Sequence, residues 1–259
     1  MTGLAGQIGD AYRRTKKPKD ILWNRFVARP LAAVLLVPLQ ATRVTPNQVT
    51  LATLVVFAFG AAMLALCPGW RHLMIAVAIL ELSYVLDCVD GQLARLKGLS
   101  SPVGAHLDFL MDELKAFLLV AAVGVRLWRA TGQPLWLVEA LLGLAIVASA
   151  ISLTTFLRRP EYAAATGAVV RMGAGDYGAG FEGAAEAPAA AASRLSPMRL
   201  LEAFGRFVVH YPSYILFVAL ANRIDVFLHA YLIMNAAYAA RSLLGIALKL
   251  GRRGQGRAS

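Results

Sequence analysis

Apolar residues along this chain collect in long runs separated by short polar or charged turns. A helix needs about 20 residues to cross a hydrocarbon core of about 30 Å, and six runs approach or exceed that length. They lie at about residues 48–66, 72–95, 103–126, 135–157, 204–221 and 226–248. Inside lipid every backbone N–H and C=O must find a partner within its own segment, so such runs are helices. The pattern predicts an all-α integral membrane bundle of six transmembrane helices. A shorter apolar stretch precedes them, residues 31–39, with Arg29 and Arg43 at its edges. It is too short to span, and predicts an N-terminal amphipathic helix lying in the membrane interface.

The punctuation between runs supports this division. Thr45-Pro46-Asn47 starts the first span, with a hydroxyl cap candidate and a proline near the first turn. Cys67-Pro68-Gly69 ends it, residues 97–102 and 126–134 make turns, and Arg158-Arg159-Pro160 closes the fourth span. A Gly/Ala-rich stretch of low complexity follows, which reads as a flexible loop. Three parts result: a basic arm with the interfacial helix over 1–45, a six-span domain over 46–250 with the loop at about 160–198, and a basic tail over 251–259.

Charge sets the orientation. The chain carries a formal net charge of +11 and is 58% hydrophobic, with mean hydropathy +0.60. The Lys and Arg residues flank the apolar runs and form no groove with interleaved aromatics, which argues against a nucleic-acid partner and for contact with membrane lipids. Placing the N-terminal arm inside also puts Arg95, Lys97, Arg158, Arg159, the long loop and the tail inside, with Arg71, Arg126, Arg129 and Arg223 outside. The expected location is the cell (inner) membrane, multi-pass, with both termini and the end of the second span facing the cytoplasm. The first 25 residues are basic and lack the apolar core of a signal peptide. Cys67 and Cys88 read as free thiols.

The end of the second span carries the chemistry. Asp87 and Asp90 are three residues apart, and Asp108 and Asp112 four apart in the next span, so each pair shares a helix face. A tight turn makes the two helices antiparallel neighbours, and the pairs converge. Carboxylates at membrane depth are costly and mark function. Four together repel unless a cation joins them, and oxygen donors without thiolate or imidazole suit Mg²⁺ or Mn²⁺. Two such ions could share bridging carboxylates and clamp a phosphoryl displacement. Gly91 and Ala94 leave space beside Asp90, Gly104 permits close helix approach, and Arg95 is a fixed cation suited to phosphate. The alternative is that the acids form structural ion pairs with Arg95, Lys97 and Lys115.

The spacing D-x2-D-G-x2-A-R-x8-G-x3-D-x3-D over residues 87–112 resembles the signature of the CDP-alcohol phosphotransferase (CDP-alcohol phosphatidyltransferase) family at every defined position. Thr45-Pro46-Asn47-Gln48-Val49-Thr50 also resembles the segment that opens the first span there. The resemblance implies that Asp87, Asp90, Asp108 and Asp112 hold two divalent ions around a CDP diphosphate, that Asn47, Asp87, Gly91, Ala94 and Arg95 line the nucleotide site, and that Asp112 is the general base. It implies a transferase of phospholipid biosynthesis that moves a phosphatidyl group from a CDP-alcohol such as CDP-diacylglycerol to a polar or phosphorylated alcohol, releasing CMP. A homodimer is implied by resemblance alone.

The acceptor is less defined. Arg158 and Arg159 stand where basic residues of relatives bind an acceptor phosphate, or are positive-inside flanks. Arg241 lies inside the sixth span, which marks a functional candidate or a structural pair with a carboxylate. His72, His106, His210 and His229 show no metal spacing and read as packing or interface residues, and Trp70, Trp128 and Trp136 fall at outer span ends. Two other functions compete. An intramembrane Mg-dependent prenyltransferase also uses Asp clusters on diphosphates, but lacks the Gly-x2-Ala-Arg insertion. A cation transporter needs acids spread across the membrane, whereas these cluster at one end.

Overall fold

The computed structural model describes residues 3–15, 22–166, 207–208 and 210–253, and among these every regular element is helical. The described chain forms two compact units, residues 1–122 and 123–259.

The first unit begins with α1 (Leu4–Thr15), a π-helical turn (Asn24–Ala28) and α2 (Arg29–Gln40). Ala28, Ala32 and Leu36 recur every four residues and bury against Val85, Val89 and Leu93 of α4 (Trp70–Lys97), which share that period. Ala11 of α1 joins the same cluster. Polar groups fasten the edge of this contact: Tyr84 Oη donates to Asn24 Oδ1 at 2.6 Å, and Gln92 Nε2 to the Arg29 carbonyl at 3.3 Å. The stretch expected at 31–39 is therefore a helix whose small-residue face packs on α4, while Leu31 and Val34 stay exposed.

Helix α3 (Pro46–Leu66) opens with a capping box: Thr45 Oγ1 accepts from the Gln48 N–H, and Gln48 Oε1 accepts from the Thr45 N–H. It runs antiparallel to α4 along a seam of small and hydroxyl residues. Ser83 Oγ donates to the Thr53 carbonyl at 2.8 Å, and a Cβ on Gly60 would stand 3.0 Å from Ile79. Small residues let two membrane helices approach until side-chain hydroxyls reach across. Val55 and Phe59 point the other way and are exposed, as a lipid-facing side requires.

Gly98, at φ +66, ends α4 in the left-handed conformation that glycine adopts without strain, and the Leu99 N–H closes back on the Ala94 carbonyl. Ser101 Oγ accepts from the Gly104 N–H and starts α5 (Pro102–Thr131). Four residues, 98–101, separate the helices, so α4 and α5 meet through their chain-adjacent ends.

In the second unit, Gly124 of α5 sits against Ala140 of α6 (Leu135–Leu157). Helix α6 also packs on α9 (Ile224–Arg253) through Ala150, Leu153, Met234, Tyr238 and Ala239, with Thr154 Oγ1 and Tyr238 Oη 2.9 Å apart. Helix α7 (Pro160–Thr166) follows α6, and α8 (Ile215–Leu220) turns into α9 through Asn222, whose φ is +54. The Gly/Ala-rich stretch thus begins helical at 160–166, where Pro160 opens the helix and Glu161 and an alanine run sustain it. The remainder, 167–206, lies outside the described residues.

Four described helices are long and apolar enough to cross a membrane: α3, α4, α6 and residues 224–250 of α9. They correspond to the first, second, fourth and sixth expected spans. Helix α5 corresponds to the third. It is 30 residues long, but Asp108, Asp112, Glu113, Lys115, Arg126 and Arg129 charge it too heavily to pass by composition. The fifth expected span, 204–221, lies partly outside the described residues, and what is described of it comprises helical residues 207–208, a 3₁₀ turn and the short α8.

Candidate active site

The candidate site stands where α4 approaches its C-terminus and α5 begins. Asp87 and Asp90 come from α4, and Asp108 from the second turn of α5. Asp87, Asp90 and Asp108 each offer a carboxylate oxygen, and these three oxygens lie within 4.8 Å of one another. Such a group of hard oxygen donors fits a divalent cation such as Mg²⁺ or Mn²⁺.

Polar neighbours hold Asp90, Asp87 and Asp112. Asp90 is buried, and its Oδ2 accepts a 2.6 Å hydrogen bond from Thr50 Oγ1 of α3. Asp108 Oδ1 is closed off from solvent. Lys115, one turn past Asp112, reaches back toward it and across to α4. Its Nζ donates to Asp112 Oδ1 at 3.2 Å and closely to Asp87 Oδ1. The Lys115 side chain is only 5% exposed, against 16% for Asp87 and 20% for Asp112. Asp112 therefore joins the acidic group through a shared ammonium.

The surroundings of the acids are small and polar. A Cβ on Gly91 would lie 3.6 Å from an Arg95 guanidinium nitrogen, so the Arg95 side chain folds back along its own helix over Gly91. A Cβ on Gly104 would stand 3.2 Å from Asn47 Oδ1, which brings the exposed start of α3 beside the start of α5. Ala94 is half-buried on the turn of α4 that carries Arg95. Gly91, Ala94 and Arg95 thus sit on the helix that carries Asp87 and Asp90, and Asn47 of α3 lies beside the start of the helix that carries Asp108 and Asp112.

Of the cations weighed as structural partners, Lys115 pairs with the acids. Lys97 donates instead to the carbonyls of Thr42 and Val44, at 2.8 and 2.9 Å, and ties the α2–α3 connection to the end of α4. Lys115 and Thr50 contact the acids, and sequence reasoning assigned neither of them a part in the chemistry. A signal existed for both: Lys115 is three residues past Asp112, and Thr50 stands with Thr53 and Gly60 on one small-residue side of an apolar helix.

The basic acceptor candidates lie in the other unit. Arg158 caps α6 half-buried, with its N–H on the Thr154 carbonyl at 3.2 Å, and Arg159 is exposed. Arg241 is half-buried on α9, one turn beyond Tyr238. Among the histidines, His106 Nδ1 is 2.7 Å from the Pro102 carbonyl, His210 Nδ1 2.5 Å from Ser213 Oγ, and His229 Nε2 3.2 Å from Glu139 Oε2. None of them joins the acidic group.

A sequence profile of the CDP-alcohol phosphatidyltransferase family matches residues 43–220, which contain all four aspartates. Among curated proteins, the chain is 34% identical over 97 residues to the bifunctional IPC transferase and DIPP synthase of Rubrobacter xylanophilus, covering 36% of this chain and 21% of that protein. It is 31% identical over 104 residues to the Thermococcus kodakarensis protein of the same name, covering 39% and 22%. It is 37% identical over 71 residues to the archaetidylinositol phosphate synthase of Aeropyrum pernix, covering 27% and 34%. The chain spans about a fifth to a third of the length of these relatives.

Proposed function

The chain belongs to the CDP-alcohol phosphatidyltransferase family of phosphate-group transferases, and on that premise we propose that it moves a phosphatidyl group from CDP-diacylglycerol to a phosphorylated alcohol in phospholipid biosynthesis, releasing CMP. The observation that carries this reading is the trio Asp87, Asp90 and Asp108, each with a carboxylate oxygen within 4.8 Å of the others, where α4 and α5 meet. The relatives' names support the acceptor class, since one is an archaetidylinositol phosphate synthase. Arg158, Arg159 and Arg241 are the residues we assign to an acceptor phosphate.

Asp87, Asp90 and Asp108 would hold one divalent cation, and Asp112 with Asp87 a second. When bound, such ions supply positive charge to the donor diphosphate and to the departing CMP. The protein does the rest. Thr50 fixes the rotamer of Asp90, so that carboxylate meets its ligand without reorganising. Arg95 and Asn47, beside the glycines that leave room for a nucleotide, flank the CMP moiety. Asp112 takes the proton from the acceptor hydroxyl. The acceptor oxygen then forms a bond to the donor phosphorus bearing the lipid alcohol, the bond from that phosphorus to the CMP oxygen breaks, and CMP carries away the electron pair. The site would lie toward the cytoplasm in a six-span protein of the inner membrane, as the Lys/Arg bias supports, and a homodimer is its proposed assembly.

The test is release of labelled CMP from CDP-diacylglycerol by the purified full chain in detergent, with inositol phosphate, glycerol phosphate or a neutral polyol as acceptor and with Mg²⁺, Mn²⁺ or excess chelator. Turnover should require a divalent ion and a phosphorylated acceptor. Full turnover in chelator would remove the metal assignment, and preference for the neutral polyol would remove the acceptor class.

A further inference from the structure

Lys115 is placed unlike a surface lysine. Its ammonium is nearly sealed from solvent, and both of its recorded partners are carboxylates of the candidate site: Asp87 on α4 and Asp112 on its own helix. Asp87 is thereby shared. One of its oxygens belongs to the group of three that fits a divalent ion, and Oδ1 is held by Lys115. Asp90 Oδ2, by contrast, is oriented by a neutral hydroxyl, that of Thr50.

We propose that Lys115 is a built-in competitor for the second divalent cation: its ammonium stands between Asp87 and Asp112, and an ion bridging those two carboxylates binds only as Lys115 lets go. This rests on the two-cation reading above. The electrostatics point one way. Four ionised carboxylates and one ammonium leave three negative charges, so a first divalent ion at Asp87, Asp90 and Asp108 is strongly favoured. A second ion would leave the site positive if Lys115 stayed in place, and at hydrogen-bond distance an ammonium and a metal ion cannot share the same oxygen lone pairs. The donor's diphosphate brings the negative charge that makes the exchange favourable, so the second ion and the nucleotide arrive together. Lys115 meanwhile keeps Asp87 and Asp112 from repelling each other and holds α4 to α5 between turnovers.

The experiment is Mn²⁺ binding to the full chain in detergent, followed by the spin-resonance signal of free Mn²⁺, without substrate. The wild type should bind one ion tightly and a second weakly. Lys115→Met removes the competing charge and should tighten the weak site by on the order of tenfold or more, whereas Lys115→Arg keeps the charge and should bind as the wild type. In chelator Lys115→Met should melt below the wild type, and saturating Mn²⁺ should close the gap. A purely structural lysine predicts the opposite pair: an equal deficit with and without Mn²⁺, and unchanged Mn²⁺ affinity. That result, or tightening in Lys115→Arg as well, overturns the proposal. A wild type that binds no Mn²⁺ at all overturns the metal reading itself, which separates the two failures. Should Lys115→Met not fold, Lys115→Gln carries the same comparison. A third readout needs no variant: reductive methylation of the wild type, read by mass spectrometry, should leave Lys115 protected in chelator and modify it in saturating Mn²⁺ with CDP. Equal protection in both overturns the proposal.

Discussion

Thr50 and Asp90, forty positions apart in the chain, are joined by a 2.6 Å hydrogen bond from the Thr50 hydroxyl on α3 to Asp90 Oδ2 on α4. The same hydroxyl lies 3.1 Å from the Pro46 carbonyl, so the side chain is pinned between its own helix and the acid. A hydrogen bond to a charged group is worth about 1.5–3 kcal/mol, and leaving a buried carboxylate without it costs on that scale. Thr50→Val keeps the shape and removes the donor. It should lower turnover by on the order of tenfold or more, with α3 still inserted; CMP release by this variant is the measurement, and wild-type turnover would separate Thr50 from the site.

Replacing Asp90 by Ala should cut turnover by on the order of 10²-fold or more, because charge stabilisation at a transferring phosphate is a dominant contribution. The variant should still insert and fold, since removing one of four acids relieves repulsion. Asp87→Ala and Asp108→Ala should behave alike. Near-normal CMP release from Asp90→Ala contradicts the assignment.

Asp112 can be separated from the other three. Asn keeps the shape and one oxygen but has almost no basicity, so Asp112→Asn should bind the CDP donor in the presence of Mg²⁺ and fail to turn over. Donor binding by calorimetry and CMP release in one preparation decide it. Loss of donor binding as complete as in Asp87→Ala would make Asp112 a ligand and not the base.

Arg158→Ala should raise the acceptor KM far more than the KM of the CDP donor, because an arginine that holds the acceptor phosphate acts on one substrate. Steady-state kinetics with each substrate varied in turn is the check. Equal effects on both, or none, return Arg158 to a positive-inside flank.

A stability prediction comes from the crossing of α5 and α6. A Cβ added at Gly124 would stand 2.3 Å from the Ala140 Cβ and 3.2 Å from the Trp136 carbonyl oxygen, and backbone cannot yield as a flexible side chain does. Overpacking of this kind costs about 1–3 kcal/mol, which in a protein of this size lowers Tm by roughly 2–4 °C per kcal/mol. Gly124→Val should therefore melt several degrees lower in detergent. An unchanged melting temperature would mean that the helices do not approach this closely.

Much of this molecule is written in local order. The long apolar runs specify α3, α4, α6 and α9, because a run near 20 residues in lipid has no conformation but the helix that satisfies its own backbone. Thr45 with Pro46, and Gly98, mark their helix ends for reasons confined to a few neighbouring residues. The convergence of Asp87, Asp90 and Asp108 was equally legible: three- and four-residue spacing puts each pair on one face, and a four-residue turn leaves two helices little choice but to meet. What spacing along one helix does not contain is the partner across a seam. Thr50 reaches Asp90 because small residues let α3 and α4 close to hydroxyl distance. Lys115 could have faced lipid headgroups, Arg-like, or the acids; periodicity allowed it as a partner of Asp112 and was silent on Asp87. Lys97, by the same reckoning an equal candidate, turned to two backbone carbonyls that the α2–α3 connection left without helical partners. Long side chains choose among several neighbours within reach, and only the packing of the helices decides which of those neighbours is there.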